Sequence, residues 1–430
     1  MMRITNGNKA LMAGLISGVL AFNFSENSMA QETSQTDPEK LFERAMAERE
    51  GGDLEEAIKA FQTILSNQPT LNRARLELAV AYFQALNFSE ARKLAEQVLK
   101  DPSTPEGVKV KIREFLSGIA AASPRHVWTP SISVGYLTDS NVNAGPSSDT
   151  FTIGAATGTL QPGALKQSDH ALTMTAGIAH RYLSPESIKI GGRDAAFIWQ
   201  SQAIYYRTDY AAQNGFDLDV LSLNTGPGWI AARKWRANIN LQADNVRLGN
   251  SAYAVFYGIT PTLTGIFNNG KTEITGDLQT QRRNYLRLSE DGRNSRYNSL
   301  GVNIGHLLAG DKISIQGGVR LFDEQADFTY FSNQGNELFL GANWQISKEA
   351  NIYARASQKQ THFKGDDPAF LIKRDDRENR YVLGGDYTFA ASLLKSWTLS
   401  GSYSHTDNSA NISVYQYDRD QVSVSLNRSF

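Results

Sequence analysis

The sequence contains no cysteine. That absence excludes disulfides, thiolate metal centres and the cysteine on which a lipid anchor would be built. Charge of one sign is equally scarce. Against 43 Lys and Arg stand 44 Asp and Glu, a formal net charge of -1 with no long basic run, so nothing favours a nucleic-acid partner. The six histidines (His126, His170, His180, His306, His362 and His405) form no closely spaced metal pair and no HExxH helix, and there is neither a GxSxG elbow nor a Walker-type phosphate loop. No enzyme chemistry, cofactor or metal is therefore expected. Beyond the first thirty residues no apolar run approaches the ~20 residues that a helix needs to span a bilayer.

What is present begins with an export signature. Arg3 and Lys9 precede a mostly apolar stretch over 10–24, and Ser28-Met29-Ala30 places small residues where cleavage would occur. Residues 1–30 read as a signal peptide, with the mature chain starting at Gln31. An exported chain without a helical span is soluble, peripheral or inserted as a barrel.

Helical periodicity is sustained only over 38–122. Ala57, Phe61, Leu65 and Pro69 are echoed by Ala91, Ala95, Leu99 and Pro102, and Ala57 lies 34 residues before Ala91, the tetratricopeptide period. The small Ala57 and Ala91 allow close helix crossing, while Leu65 and Leu99 seal each hairpin from one face. Leu78, Ala79 and Tyr82 fill the first helix of the second repeat. The first helix of repeat one is poorer, with Leu41 and Ala45 but polar Arg44 and Glu48. Two degenerate repeats plus a capping helix over 105–122 are expected, forming a periplasmic domain over 31–125 whose 13 basic and 15 acidic residues nearly cancel. The segment 121–130, with Pro124 and Pro130, reads as a hinge, and Trp128 as an anchor at the lipid boundary.

From Trp128 the period changes to two. Ile132, Val134 and Tyr136 alternate with Ser131, Ser133 and Gly135; Leu338, Leu340, Ala342 and Trp344 behave in the same way, as do Trp397, Leu399, Gly401 and Tyr403. One oily side and one wet side, maintained over roughly 300 residues, predict a transmembrane antiparallel β-barrel over 126–430. Strand candidates start near residues 130, 170, 194, 216, 235, 252, 272, 295, 311, 336, 350, 379, 396 and 419, about 14 strands, with twelve or sixteen as alternatives. Closure is required because an open edge in lipid leaves unpaired amides and carbonyls. The stretch 139–166 reads as a long surface connection, 365–380 as a charged one, and Ala309-Gly310-Asp311 as a tight periplasmic turn. Arg193, Arg207, Arg282, Arg283, Arg287 and Arg293 are candidates to line or flank the interior with Asp194, Asp209 and Asp277. The final strand carries Val422, Val424, Leu426 and Phe430, and its aromatic end resembles the signal read by the outer-membrane insertion machinery.

Three stretches then fit one family: Ala74-Arg75-Leu76-Glu77-Leu78-Ala79, Lys109-Val110-Lys111-Ile112-Arg113-Glu114-Phe115-Leu116, and Gly135-Tyr136-Leu137-Thr138-Asp139-Ser140-Asn141-Val142-Asn143. Together they resemble the surface lipoprotein assembly modulator family, in which periplasmic tetratricopeptide repeats precede a fourteen-stranded outer-membrane barrel. The resemblance covers about residues 40–430. It implies an outer-membrane translocator that helps a client exported protein, a surface lipoprotein or a small soluble haem-binding one, to or across the membrane. The implied partners are that client, periplasmic chaperones, the insertion machinery and outer-membrane lipid. Asp139, Ser140, Asn141 and Asn143 match the family motif. Their short side chains suit either client contact or the capping of turn amides. The alternatives are a polysaccharide export or diffusion porin and a structural or adhesion barrel.

Overall fold

A computed structural model of the chain describes residues 38–153, 156–391 and 393–430. The expected signal peptide lies outside the described residues.

Five helices come first: α1 (Pro38–Gly51), α2 (Leu54–Asn67), α3 (Asn72–Gln84), α4 (Phe88–Lys100) and α5 (Glu106–Ala122). They form two helical hairpins and a cap, and the alanines explain the close crossings: Ala45, Ala57, Ala79, Ala91 and Ala95 are fully buried, as is Phe61. The Phe42 ring meets Phe61 edge-on at 5.6 Å between centroids. Leu78 and Tyr82 are buried, while Leu65 and Leu99 pack against the core from its margin. In α1 the helix turns Arg49 inward, where it meets Glu77 of α3 in an ion pair that is 5% exposed at each partner. α4 opens on an N-cap, the Asn87 side chain accepting the Glu90 amide at 3.2 Å. Asn87→Ala should lower helical stability by about 1 kcal/mol, read as an earlier urea midpoint of helical ellipticity.

The strands are β1 (His126–Asp139), a short hairpin of β2 (Thr150–Ile153) and β3 (Ala156–Thr159), then β4 (Asp169–Ile190), β5 (Arg193–Tyr210), β6 (Leu218–Ala231), β7 (Trp235–Leu248), β8 (Ser251–Phe267), β9 (Thr272–Tyr285), β10 (Ser295–Leu308), β11 (Ile313–Ala326), β12 (Asn333–Gln345), β13 (Ala350–Asp366), β14 (Lys373–Thr388), β15 (Trp397–Ala410) and β16 (Tyr417–Ser429). All but β2 and β3 close into one barrel of fourteen strands, each beside its chain neighbour, with β1 pairing antiparallel to β16. Alternation makes this possible. Outward Leu278, Leu300, Leu321 and Leu338 are exposed, while the residues between them point in.

Two compact units result. The first holds the helices together with residues 181–199 and 228–236, and the second holds the remainder of the barrel. Within the first, Leu183, Ala196 and Ile198 join the helical core.

The structure corrects three expectations. Residues 373–380 are not connection but the start of β14, and only 367–372 link it to β13. Charged residues are tolerated there because the strand continues past the apolar band that Tyr381 opens. The expected hinge at 121–130 shrinks to 123–125, since α5 runs to Ala122 and β1 begins at His126, which places Pro130 inside a strand. The arginines do not share one location: Arg283 points inward, Arg207 and Arg282 outward, Arg193 sits at a turn of the helical unit, and Arg287 and Arg293 lie in the connection between β9 and β10.

Candidate functional site

The inward residues of β9 to β13 build a charged, aromatic wall from strand register alone. Arg320 of β11 donates to Asp277 of β9 at 2.9 Å and to Ser299 of β10 at 2.7 Å. One row further, Arg283 donates to Glu324 at 3.0 Å, and Glu324 also accepts Ser295 at 2.6 Å. The Arg283 guanidinium lies 4.2 Å from the Tyr297 ring centroid, Tyr297 stacks on Phe322, and Lys359 lies 5.1 Å above Phe322. Arg355 covers Phe339 at 4.4 Å. These side chains are mostly part-exposed, so the wall is wet and its charges are balanced locally. Such a surface can hold polar solutes weakly by cation and π contacts.

The motif residues gather where β1 meets β16. Asp139 is 2% exposed. Its carboxylate accepts Arg419 Nε at 2.9 Å, Gln421 Nε2 at 2.9 Å and the Tyr210 hydroxyl at 3.1 Å, and it also caps the Asn141 amide at 3.0 Å. Ser140 Oγ accepts the Asp420 amide at 2.8 Å. Asn141 Nδ2 donates to the Asp418 carbonyl at 2.9 Å, and Asn141 Oδ1 accepts the Gly145 amide at 2.9 Å. Asn143 spans the base of the long connection, accepting the Gln167 amide at 3.0 Å and donating to the Leu165 carbonyl at 2.8 Å. Gly145 is needed there, because a Cβ would lie 2.6 Å from the Ala164 carbonyl oxygen. Asp418 is further held by Lys166 and by Ser147 at 2.8 Å. Asp139, Ser140 and Asn141 thus tie the first strand to the last, and Asn143 closes the base of the long connection.

A second cluster belongs to the helical unit. Leu54, Glu55, Ile58, Lys59 and Gln62 of α2, with Arg193, Asp194 and Lys234, surround a cleft of about 240 Å³. Arg193 pairs with Glu55 at 3.1 Å, Lys234 with Asp53 at 3.2 Å, and Asn87 donates to Asp194 at 3.3 Å. These pairs fix the 191–194 and 231–234 turns to α2 and α4.

At the end of the barrel, Val422 and Val424 point outward, Leu426 is half-buried and Phe430 is 62% exposed. The Arg428 guanidinium lies 4.6 Å from the Phe430 ring and 5.7 Å from Trp397, which explains how a cation is accommodated on the lipid-facing side. Trp128 is outward too, its ring 4.2 Å from His180.

A tetratricopeptide repeat family model matches residues 48–107. The chain is 23% identical to a hemophilin secretion modulator of Acinetobacter baumannii over 414 residues, 90% of this chain and 78% of that protein. It is 27% identical to a surface lipoprotein assembly modifier of Pasteurella multocida (strain Pm70) over 156 residues, 35% of this chain and 29% of that protein, so the chain spans less than a third of that relative's length. Its fold is similar to the crystal structure of a Pseudomonas aeruginosa FadL homologue (TM-score 0.39, 11% identity, 70% of this chain and 90% of that one) and to OmpT, an outer membrane protein of Vibrio cholerae (TM-score 0.39, 7% identity, 72% and 98%). At these values the likeness is one of fold alone. The chain is a closed, fourteen-stranded antiparallel barrel with an apolar outer face, preceded by tetratricopeptide-like helices.

Three features of this barrel protein escape sequence reasoning. The Arg49–Glu77 pair had a signal in the acid lodged between Leu76 and Leu78 on a buried helix face. The Tyr210, Arg419 and Gln421 partners of Asp139 had none, being 71 to 282 residues distant. The lumenal arginine–aromatic ladder depends on register, which a sequence does not print.

Proposed function

We propose that the protein assists passage of an exported protein client to or across the outer membrane. The observation that carries this reading is architectural: two tetratricopeptide repeats and a closed barrel in one chain, aligned over 90% of its length with a secretion modulator. In this reading residues 31–125 engage the client or its chaperone in the periplasm, and the barrel over 126–430 receives it. Ala57, Phe61, Leu65, Leu78, Ala79, Tyr82, Ala91 and Leu99 hold the repeats in shape. Asp139, Ser140, Asn141 and Asn143 brace the strand exit rather than touch the client. Val422, Val424, Leu426 and Phe430 present the barrel to the insertion machinery.

A diffusion or polysaccharide export pore is the second reading. The wet wall of paired charges and aromatic rings backs it more directly than it backs a protein client. One experiment separates the two. Epitope-tagged exported proteins encoded beside this chain are followed by protease shaving and fractionation with and without it, while the purified barrel is placed in a planar bilayer. Client translocation predicts that surface display is lost and the client accumulates in the periplasm. Unchanged display with normal client synthesis, together with steady conductance blocked by oligosaccharide, would replace that reading with the pore.

A further inference from the structure

Outward residues on β9 and β10 follow a graded order toward the connection at 286–294. Along β9 they are Ile274, Leu278, Thr280 and Arg282; along β10 they are Ile304, Val302, Leu300, Asn298 and Arg296. Register places Leu278 against Leu300, Thr280 against Asn298, and Arg282 against Arg296. An apolar row thus gives way to a neutral polar row and then to two arginines in directly opposed positions. Tyr257 of β8 flanks Arg282, and Gln325 of β11 flanks Arg296. Both arginines and Tyr257 are exposed.

Directly opposed like charges destabilise a sheet unless something neutralises them. Among the described residues no carboxylate lies within ion-pair distance of either arginine; Arg282 Nε donates only to the Asn284 amide oxygen, at 3.3 Å. The nearest acid in these outward rows, Asp323, is held by Lys364. The same strands treat their lumenal arginines differently, giving Arg283 to Glu324 and Arg320 to Asp277. On these strands Arg283 and Arg320 are therefore given counterions inside the barrel, while Arg282 and Arg296 are left without one outside it. Height decides what is available there. The outward apolar row of β10 starts at Leu308, twelve positions from Arg296; at ~3.3 Å per residue on a strand tilted by ~40° this is about 30 Å of height, just beyond the ~25 Å apolar band of such barrels. The arginines therefore stand at headgroup level, beside a tyrosine of the kind that marks that boundary.

We propose that Arg282 and Arg296 form a binding site for the phosphate of an outer-leaflet phosphoglycolipid. Two adjacent guanidinium groups offer converging N–H donors to one phosphate. The Tyr257 ring borders the sugar, and the leucine row below accepts acyl chain.

The test uses the full chain purified in dodecyl maltoside, with diphosphoryl lipid A as the probe. Bound lipid is read by native mass spectrometry, and barrel stability by the temperature at which heat-modifiable gel migration is lost. R282Q/R296Q is compared with wild type and with K373Q/R377Q, which removes the same charge elsewhere on the barrel. Lipid A should raise the wild-type transition and remain bound, and R282Q/R296Q should bind it about tenfold more weakly. Without lipid A the order should reverse or level, because the double variant has lost a repulsive pair; that crossing also shows that the variant folds. Equal lipid A binding by wild type and R282Q/R296Q would overturn the proposal. So would an equal loss in K373Q/R377Q, which would mean diffuse attraction. Protection by inorganic phosphate as strong as that by lipid A, or persisting with dephosphorylated lipid A, would equally overturn a lipid phosphate site.

Discussion

Arg49→Met should destabilise the helical repeats by about 3–5 kcal/mol, the cost of leaving one member of a buried ion pair without the other. Glu77 would remain between Leu76 and Leu78 inside the core, drawn on by Arg73 and opposed by Glu50. Burial already pushes the Glu77 carboxyl above the usual carboxylate range, against the pull of Arg49 and Arg73. A carboxyl whose folded pKa is raised binds its proton more tightly in the native state, so stability falls as pH rises from the unfolded pKa to the folded one. Removing Arg49 should widen that window upward. The variant should therefore regain stability on acidification from neutral pH toward the unfolded carboxylate pKa, where wild type changes less. The measurement is urea unfolding of the full chain in detergent, followed by helical ellipticity at two pH values. Arg49→Met/Glu77→Leu should recover most of the loss, because a well-packed apolar pair can replace a buried ionic one. Equal urea midpoints for wild type and Arg49→Met at neutral pH would show the pair to be energetically idle.

The second large effect is expected at the seam. Asp139→Ala removes the acceptor of Arg419, Gln421 and Tyr210 together and uncaps the Asn141 amide. A loss of about 3 kcal/mol is expected, the low end for a broken buried pair, because Arg419 keeps some contact with water. The temperature at which the native barrel loses its heat-modifiable migration should fall accordingly. Asp139→Asn retains one carbonyl acceptor and should fall between the two. Asp139→Ala/Arg419→Leu should be less harmful than the single change, since no orphan cation remains. A wild-type transition in Asp139→Ala would mean that the Asp139 contacts add nothing to the stability of the β1–β16 seam.

Both predictions concern pairs whose members are far apart in sequence, and this divides what was legible from what was not. Period two from Ile132 to Val424 foretold the barrel, because a strand in lipid has to send alternate side chains to oil and to water. The 34-residue echo of Ala57 in Ala91 foretold the stacked hairpins, because small residues have to recur where helices cross. The start of β14 is not legible in composition, because Arg374, Asp376 and Arg377 look like a loop, whereas a strand running beyond the apolar band accepts charge on either side. Which of the arginines offered as lining or flanking the interior actually faces it is not legible in the sequence, because a count of charged residues carries no parity. One step along β9 separates Arg282, facing out, from Arg283, facing in.

The sequence by itself therefore determined class and order: helical repeats, then an antiparallel membrane barrel with one oily side, since periodicity is a local property written along the chain. Only the tertiary structure decided which residues meet. The Asp139 clasp, the Arg283–Tyr297–Phe322 ladder and the unneutralised Arg282–Arg296 pair all arise from register between strands. Register is set by closing the sheet on itself, a constraint that no single segment carries.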